Sequence, residues 1–167
     1  MSNSTHETLI GLVSIYSPSG HERGAVEWLV ARMKSLGYDN AYMDEVGNAV
    51  GVMGQGTKQV ILLGHIDTVP GEIPVRVENV GATGQPQLYG RGSVDAKGPL
   101  ACFVDAVAQV RAVQGWQFVV IGAVEEERDS EGRVMLRLNI GLILRLLANQ
   151  IIGIVLRLGI KEARGQM

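Results

Sequence analysis

Three groups of residues in this sequence have side chains that could bind metal ions and transfer protons. His65 and Asp67 follow a continuously apolar stretch, Asp95 precedes a stretch of helical periodicity, and three glutamates at 125–127 follow a second apolar stretch. Imidazole and carboxylate groups are ligands of cations such as zinc, and a carboxylate between two cations can bridge them. The chemistry that such a set could perform is hydrolysis, because a cation lowers the pKa of a water molecule and a nearby carboxylate can accept its proton.

The spacing within two of these groups suits that chemistry. His65 and Asp67 are two apart in an extended segment, so their side chains can lie on one side, one as a metal ligand and the other orienting it. Adjacent glutamates can divide the work, one holding a cation and its neighbour accepting a proton. Each group alone also has an ordinary interpretation as a turn histidine, a helix-capping aspartate or a solvated acidic face. Their joint placement favours a site.

Hydrophobic periodicity predicts the elements that must position these groups. Residues 60–63 and 118–123 are continuously apolar, which is typical of strands covered on both faces of an α/β sheet. Apolar spacing further predicts helices at 5–16, 21–36 and 99–113, short strands at 40–43 and 49–53, and no regular element over 69–87. Open α/β sheets bind ligands beyond the carboxyl ends of their strands, which is where His65, Asp67 and the glutamates lie.

The composition indicates one soluble domain. The chain has 167 residues, 15 Lys and Arg against 17 Asp and Glu, and 46% apolar residues, which excludes a disordered chain. A net charge of -2 provides no general attraction to phosphate backbones or anionic lipid, so no nucleic-acid or membrane partner is expected. Cys102 is the only cysteine and cannot form an internal disulfide, and residues 1–7 lack a secretory signal, so we expect a cytoplasmic protein.

Three motifs, in this order, resemble those of the M20 family of metallopeptidases and deacylases. They are LGHIDTVP at 63–70, YGRGSVDAKG at 89–98 and the glutamates at 125–127, and the resemblance covers residues 9–132. It implies an α/β fold, a three-layer sandwich with a mixed sheet like the catalytic domain of zinc peptidases, with only the N-terminal part of that domain present.

The resemblance also implies a role for each candidate residue. His65 is similar to a ligand of a first metal ion, Asp95 to a ligand that bridges two ions, and Glu127 to a ligand of the second. Asp67 resembles the residue that orients His65, and Glu126 resembles the general base. Such relatives use two zinc ions, for which cobalt can substitute.

Within the family, the sequences at 73–76, 94–100 and 123–127 are most similar to those of hydrolases that release lysine or ornithine. Those enzymes act in lysine and arginine biosynthesis on an N-acylated precursor linked to an amino-group carrier protein, and full-length relatives form homodimers. Acetylornithine deacetylase, succinyl-diaminopimelate desuccinylase and dipeptidase activities are alternatives. An alternative of another class is a non-catalytic α/β binding domain.

The composition changes after Gly132. Residues 133–167 contain no Asp and one Glu but many Leu, Ile and Val, and Arg137, Arg145 and Arg157 keep every apolar run below the roughly 18 residues that a membrane span requires. The domain organisation predicted is therefore residues 1–132 as part of an M20 catalytic domain and residues 133–167 as a tail unrelated to it. The lid and dimerisation domain of the family is expected to be absent.

A shifted reading frame is our hypothesis for this tail. Residues 147–150 can be encoded by codons that spell Gly-Glu-Pro when reading starts at the third base of the first codon. Gly-Glu-Pro is a segment of the family that supplies a carboxylate. Sequencing through the Gly132 codon tests this, because an intact family frame there would end the hypothesis. Since the family's Gly-Glu-Pro segment and C-terminal histidine ligand are missing, each metal site lacks one ligand, and we expect an inactive fragment.

Overall fold

The described part of the chain folds into two helices, five strands, a third helix and two further strands, in that order. The computed structural model describes residues 6–80, 85–127 and 154–157. Its helices are α1 (Glu7–Ser14), α2 (Arg23–Ser35) and α3 (Lys97–Val110). Its strands are β1 (Asn40–Met43), β2 (Ala49–Met53), β3 (Lys58–His65), β4 (Arg76–Val80), β5 (Gln85–Tyr89), β6 (Trp116–Ala123) and β7 (Ile154–Arg157).

The main sheet is mixed, as predicted. Its order is β1-β2-β6-β3-β7, with β3 parallel to both β6 and β7 and with antiparallel pairing of β1 with β2 and of β2 with β6. The register pairs His65 with Ala123, so the carboxyl ends of β3 and β6 lie side by side. The α/β class with a mixed sheet is thereby confirmed, and the two strands that precede candidate site residues are neighbours.

The continuously apolar runs of β3 and β6 have both faces buried. Side chains alternate between faces along a strand, and Leu62 and Val120 pack with the core of the three helices. Their neighbours Ile61, Val119 and Ile121 belong to a second buried cluster on the opposite face. Burying each such side chain contributes about 1.5–3 kcal/mol, so these central strands are a stable base for the loops that follow them.

Paired glycines let α3 approach the sheet closely next to the candidate site. Gly64 and Gly122 are partners in the β3–β6 register. A Cβ atom on Gly122 would lie 3.1 Å from Leu100 and from Leu29, and one on Gly64 would lie 3.3 Å from Leu100. Because no side chain intervenes, the first turns of α3 pack directly over the strand ends, and this brings the preceding loop toward His65.

The predicted boundaries differ from the structure in two instructive places. Helix α3 begins at Lys97, two residues before the predicted start, because a proline such as Pro99 is tolerated in the first turn of a helix, where its missing N–H costs nothing. The stretch 69–87, to which no element was assigned, contains β4 and leads into β5, and these two strands form a separate antiparallel sheet. The hairpin was not predicted because of Pro86, since proline in a strand is confined to edges.

Most of the predicted tail lies outside the described residues. Only Ile154–Arg157 is described there, as β7 beside β3. Over the ranges that the structure describes, none of the helices is both long enough and apolar enough to cross a membrane.

Candidate metal centre

Three separate segments bring His65, Asp95 and Glu127 together. His65 is the last residue of β3, Glu127 lies in the turn that follows β6, and Asp95 lies two residues before α3. One ligand atom from each of these side chains lies within 4.8 Å of the others. The predicted metal ligands therefore converge, and Asp95, whose side chain is 54% exposed, faces solvent.

The imidazole of His65 is held in a defined orientation. Its Nδ1 lies 3.0 Å from the backbone oxygen of Asp67, and since a carbonyl can only accept a hydrogen bond, Nδ1 carries the proton. Nε2 then points to Asp95, whose Oδ1 lies 3.1 Å away. This arrangement presents Nε2 to whatever the carboxylates bind, as expected for a histidine ligand whose other nitrogen is fixed by an acceptor.

The charges around His65 favour a positive group at this position. Burial alone lowers the pKa of His65, but its contacts with the carboxylates of Asp67 and Asp95, together with the negative charge of Glu126, raise that pKa to about 9. A proton on the imidazole is therefore stabilised by three surrounding acidic groups. A divalent cation would satisfy the same groups in its place.

Asp67 is a fully buried carboxylate that touches two parts of the centre. Its Oδ2 accepts hydrogen bonds from the Ser19 hydroxyl at 2.6 Å and from the backbone N–H of Glu127 at 2.9 Å. Its Oδ1 lies 3.4 Å from Nδ1 of His65 and accepts no hydrogen bond within the described residues. Burial acts to raise the pKa of Asp67, but the contact with His65 and the two donated hydrogen bonds lower it, so this side chain is ionised at neutral pH.

The glutamates after β6 carry excess negative charge. Burial raises the pKa of Glu127, and although the charge of His65 opposes this shift, Glu126, Asp95 and Asp67 add to it. Glu126 is half-buried and close enough to act on the pKa values of both His65 and Glu127. One imidazole nitrogen and two carboxylates at this spacing, with charge repulsion that a cation would relieve, fit a zinc-type ion.

The chain between α1 and α2 also contributes to the centre, which the sequence patterns did not reveal. Its Pro18 forms a parallel bridge with Thr68, and the Ser17 hydroxyl donates to the backbone oxygen of Ile66 at 2.9 Å. Ser19 binds Asp67, as described above. In the sequence this segment resembled only a helix break, because hydrogen bonds to the backbone of a distant loop produce no periodicity.

Lys97 is another residue whose role was missed. It is 1% exposed, and its Nζ donates to the backbone oxygen of Ile15 at 2.6 Å. Burial lowers the pKa of Lys97 to about 8, although the charge of Asp67 opposes that shift. The buried lysine thus fixes the end of α1 against the start of α3. Its sequence neighbours Ala96 and Gly98, both small, are the only hint that it would be enclosed.

The sequence matches the model of a known protein family. A sequence model described as Peptidase family M20/M25/M40 matches residues 61–163, more than half of the chain. The chain belongs to this family. The match includes part of the tail beyond Gly132, and the shifted reading frame stays a prediction for the nucleotide sequence to test.

Two similar relatives are named as hydrolases of LysW-lysine or LysW-ornithine. LysW-lysine hydrolase from Deinococcus radiodurans is 52% identical over 120 residues, which are 71% of this chain and 32% of the relative. LysW-lysine/LysW-ornithine hydrolase from Saccharolobus islandicus is 33% identical over 126 residues, which are 75% of this chain and 33% of the relative. The chain thus spans about a third of the length of these relatives.

Solved structures agree on the fold. Human carnosine dipeptidase 1 matches with a TM-score of 0.64 and 17% identity, covering 89% of this chain and 37% of that protein. Aminoacylhistidine dipeptidase from Vibrio alginolyticus matches with a TM-score of 0.54 and 22% identity, covering 75% of this chain and 28% of that protein. At this level of identity the likeness concerns the arrangement of helices and strands.

Proposed function

We propose that this chain carries part of the metal-binding site of an amide hydrolase that uses two zinc ions. The convergence of His65, Asp95 and Glu127, with Asp67 contacting the first and last of them, is the observation that supports this proposal. His65 and Asp95 would hold one ion, and Asp95 and Glu127 the other. Cobalt would substitute for zinc, since it accepts the same nitrogen and oxygen ligands.

The residues of this chain would share the work of hydrolysis as follows. Glu126 takes a proton from the attacking water and passes it to the leaving amine, a role that its half-buried position beside His65 allows. Asp67 keeps His65 oriented and, through the Glu127 amide, holds the glutamate turn in place. The bound ions would polarise the acyl oxygen and make the water more acidic.

The proposed substrate is an N-acylated lysine or ornithine linked to a carrier protein. The similarity to hydrolases named for LysW-lysine and LysW-ornithine supports this choice over other amides. These 167 residues span only about a third of such relatives. We therefore propose that these residues by themselves have little hydrolase activity and bind zinc more weakly than a full-length relative, since His65, Asp95 and Glu127 are the ligand group that the described residues provide.

Metal titration of the purified chain tests the proposal directly. Calorimetry with Zn²⁺ should show binding that Asp95→Ala reduces by tenfold or more, roughly the effect of removing a ligand or its immediate support. Glu27→Ala is the matched control, because in the described part of the chain that exposed carboxylate on α2 pairs with Arg23 and is not in the ligand group. Equal binding by wild type and Asp95→Ala would favour a non-catalytic domain. Turnover of acyl-lysine at the rate of a full-length relative would contradict the fragment proposal.

A further inference from the structure

The turn after β6 is held by side chains from three distant segments. We call residues 124–127 the acidic turn. Three of its backbone N–H groups donate to side-chain oxygens: Val124 to Oδ1 of Asn48 at 3.1 Å, Glu125 to Oε1 of Glu22 at 3.1 Å, and Glu127 to Oδ2 of Asp67 at 2.9 Å. Side chains that lie outside the turn therefore hold the backbone that carries the proposed base and the proposed metal ligand.

Glu125 adopts a backbone conformation that needs such support. Its φ is 59°, in the left-handed region that side chains other than glycine rarely occupy. This one residue sets the direction in which the chain leaves β6 and continues to Glu126 and Glu127. The hydrogen bond from its N–H to Glu22 compensates for the conformational cost.

The side chain of Glu22 binds the acidic turn and does not cap α2. It precedes α2, yet its side chain makes no hydrogen bond to the helix N-terminus. Its Oε1 accepts instead from the N–H of Gly20 at 2.8 Å and from the N–H of Glu125. The residue is only 6% exposed. A buried carboxylate that accepts two backbone N–H groups from separate segments joins the α1–α2 connection to the acidic turn.

We propose that Glu22 is a positioning residue for the metal centre. By holding Glu125 in the left-handed conformation, it directs Glu126 and Glu127 toward His65 and Asp95. The consequence for the metal rests on the proposed function, since it requires that Glu127 be a ligand. The consequence for the turn itself does not.

Four variants of the full 167-residue chain test this role. Glu22→Ala removes the acceptor, and Glu22→Gln keeps an oxygen at the same place. Glu22→Ala combined with Glu125→Gly removes the acceptor but also removes the conformational cost, because glycine adopts positive φ readily. Glu27→Ala controls for loss of an acidic side chain from the adjacent helix α2.

Co²⁺ absorption titrations and amide hydrogen exchange are the readouts. We expect Glu22→Ala to lower Co²⁺ affinity by about tenfold and to change the visible spectrum, as outer-shell substitutions do. Glu22→Gln and the double variant should recover most of that loss, and Glu27→Ala should match wild type. Before Co²⁺ is added, Glu22→Ala should speed exchange at the Glu125 amide by tenfold or more, the order expected when a buried hydrogen bond is removed.

The outcomes separate this inference from the proposed function. Unchanged Co²⁺ affinity and unchanged Glu125 exchange in Glu22→Ala would overturn the positioning role, as would a loss of affinity that neither Glu22→Gln nor Glu125→Gly restores. If the wild-type chain binds no Co²⁺, the proposed function fails. Faster Glu125 exchange in Glu22→Ala would then still support the role of Glu22 in holding the turn, and unchanged exchange would refute it.

Discussion

The buried carboxylate of Asp67 accepts a hydrogen bond from the backbone N–H of Glu127 at 2.9 Å. The same carboxylate lies 3.4 Å from the ring of His65. A single ionised group therefore connects the residue that ends β3 with the turn that follows β6. Displacing it would disturb both proposed metal ligands at once, which makes Asp67 the most informative position for substitution.

Asp67→Asn should lower the pKa of His65 from about 9 toward 6.5 in the metal-free chain, because the contact with the Asp67 carboxylate is a main cause of the raised value. NMR titration of the His65 ring measures this shift. Asp39→Asn is a suitable control, since Asp39 binds the Gly54 amide near the start of β6, at the other end of the sheet. A titration midpoint that stays near 9 in Asp67→Asn would contradict the prediction.

The metal-free chain should lose stability as pH rises from about 6.5 to 8. His65 has a higher pKa folded than unfolded, so its contribution is complete below the unfolded value of 6.5 and is gone above about 9. The linked change is at most on the order of 3 kcal/mol. Lys97 acts in the opposite direction, because its pKa is lowered to about 8. Its contribution grows from there to about 10.5, so it offsets the loss from His65 between pH 8 and 9 and gives a net recovery above pH 9.

Urea denaturation across this pH range measures both effects. His65→Gln should remove the decline between pH 6.5 and 8, where Lys97 contributes little. Lys97→Met should remove the recovery above pH 9. A His65→Gln profile that declines as steeply as wild type would show that another group is responsible.

Zinc affinity should rise with pH up to about 9, because the ion must displace the proton that the carboxylates stabilise on His65. The expected slope is about tenfold per pH unit between 7 and 9, one proton being released for each ion bound. Calorimetry in buffers with different ionisation enthalpies counts that proton. Binding that is independent of both pH and buffer would mean that His65 is not a ligand.

Gly122→Ala should destabilise the chain by about 1–3 kcal/mol, the usual cost of overpacking. The added Cβ would lie 3.1 Å from both Leu29 and Leu100. Gly24→Ala is the control, since a Cβ there would meet only Ile15, at 3.9 Å, and alanine favours a helix. Denaturation midpoints compare the two variants. Equal stability would mean that α3 does not depend on the paired glycines.

Periodicity and residue chemistry were enough to predict the central strands and the groups at their ends. Continuous apolar runs predicted β3 and β6, and the parallel pairing of these strands brings His65 beside the acidic turn. The β4–β5 hairpin was not predicted, because Pro86 and the surrounding polar residues match an irregular loop as well as an edge strand.

The residues that hold the site in place could not be predicted from the sequence pattern. Glu22, Asn48 and Ser19 act through hydrogen bonds to residues far away in the sequence, and a buried acceptor is the same letter as an exposed one. Their role depends on which loops the sheet order brings together. Sequence spacing therefore identified the groups that converge at the proposed metal centre and missed the groups that hold them.

Strand β6 enters the sheet between β2 and β3, both of which precede it in the chain. A polypeptide emerging from the ribosome can therefore form only the local pairs β1–β2 and β4–β5 until residues 116–123 appear. Glu127 follows four residues after β6 ends. The proposed ligand Glu127 thus emerges almost together with the strand that joins the β1–β2 pair to β3, and a product terminated before residue 116 would lack both.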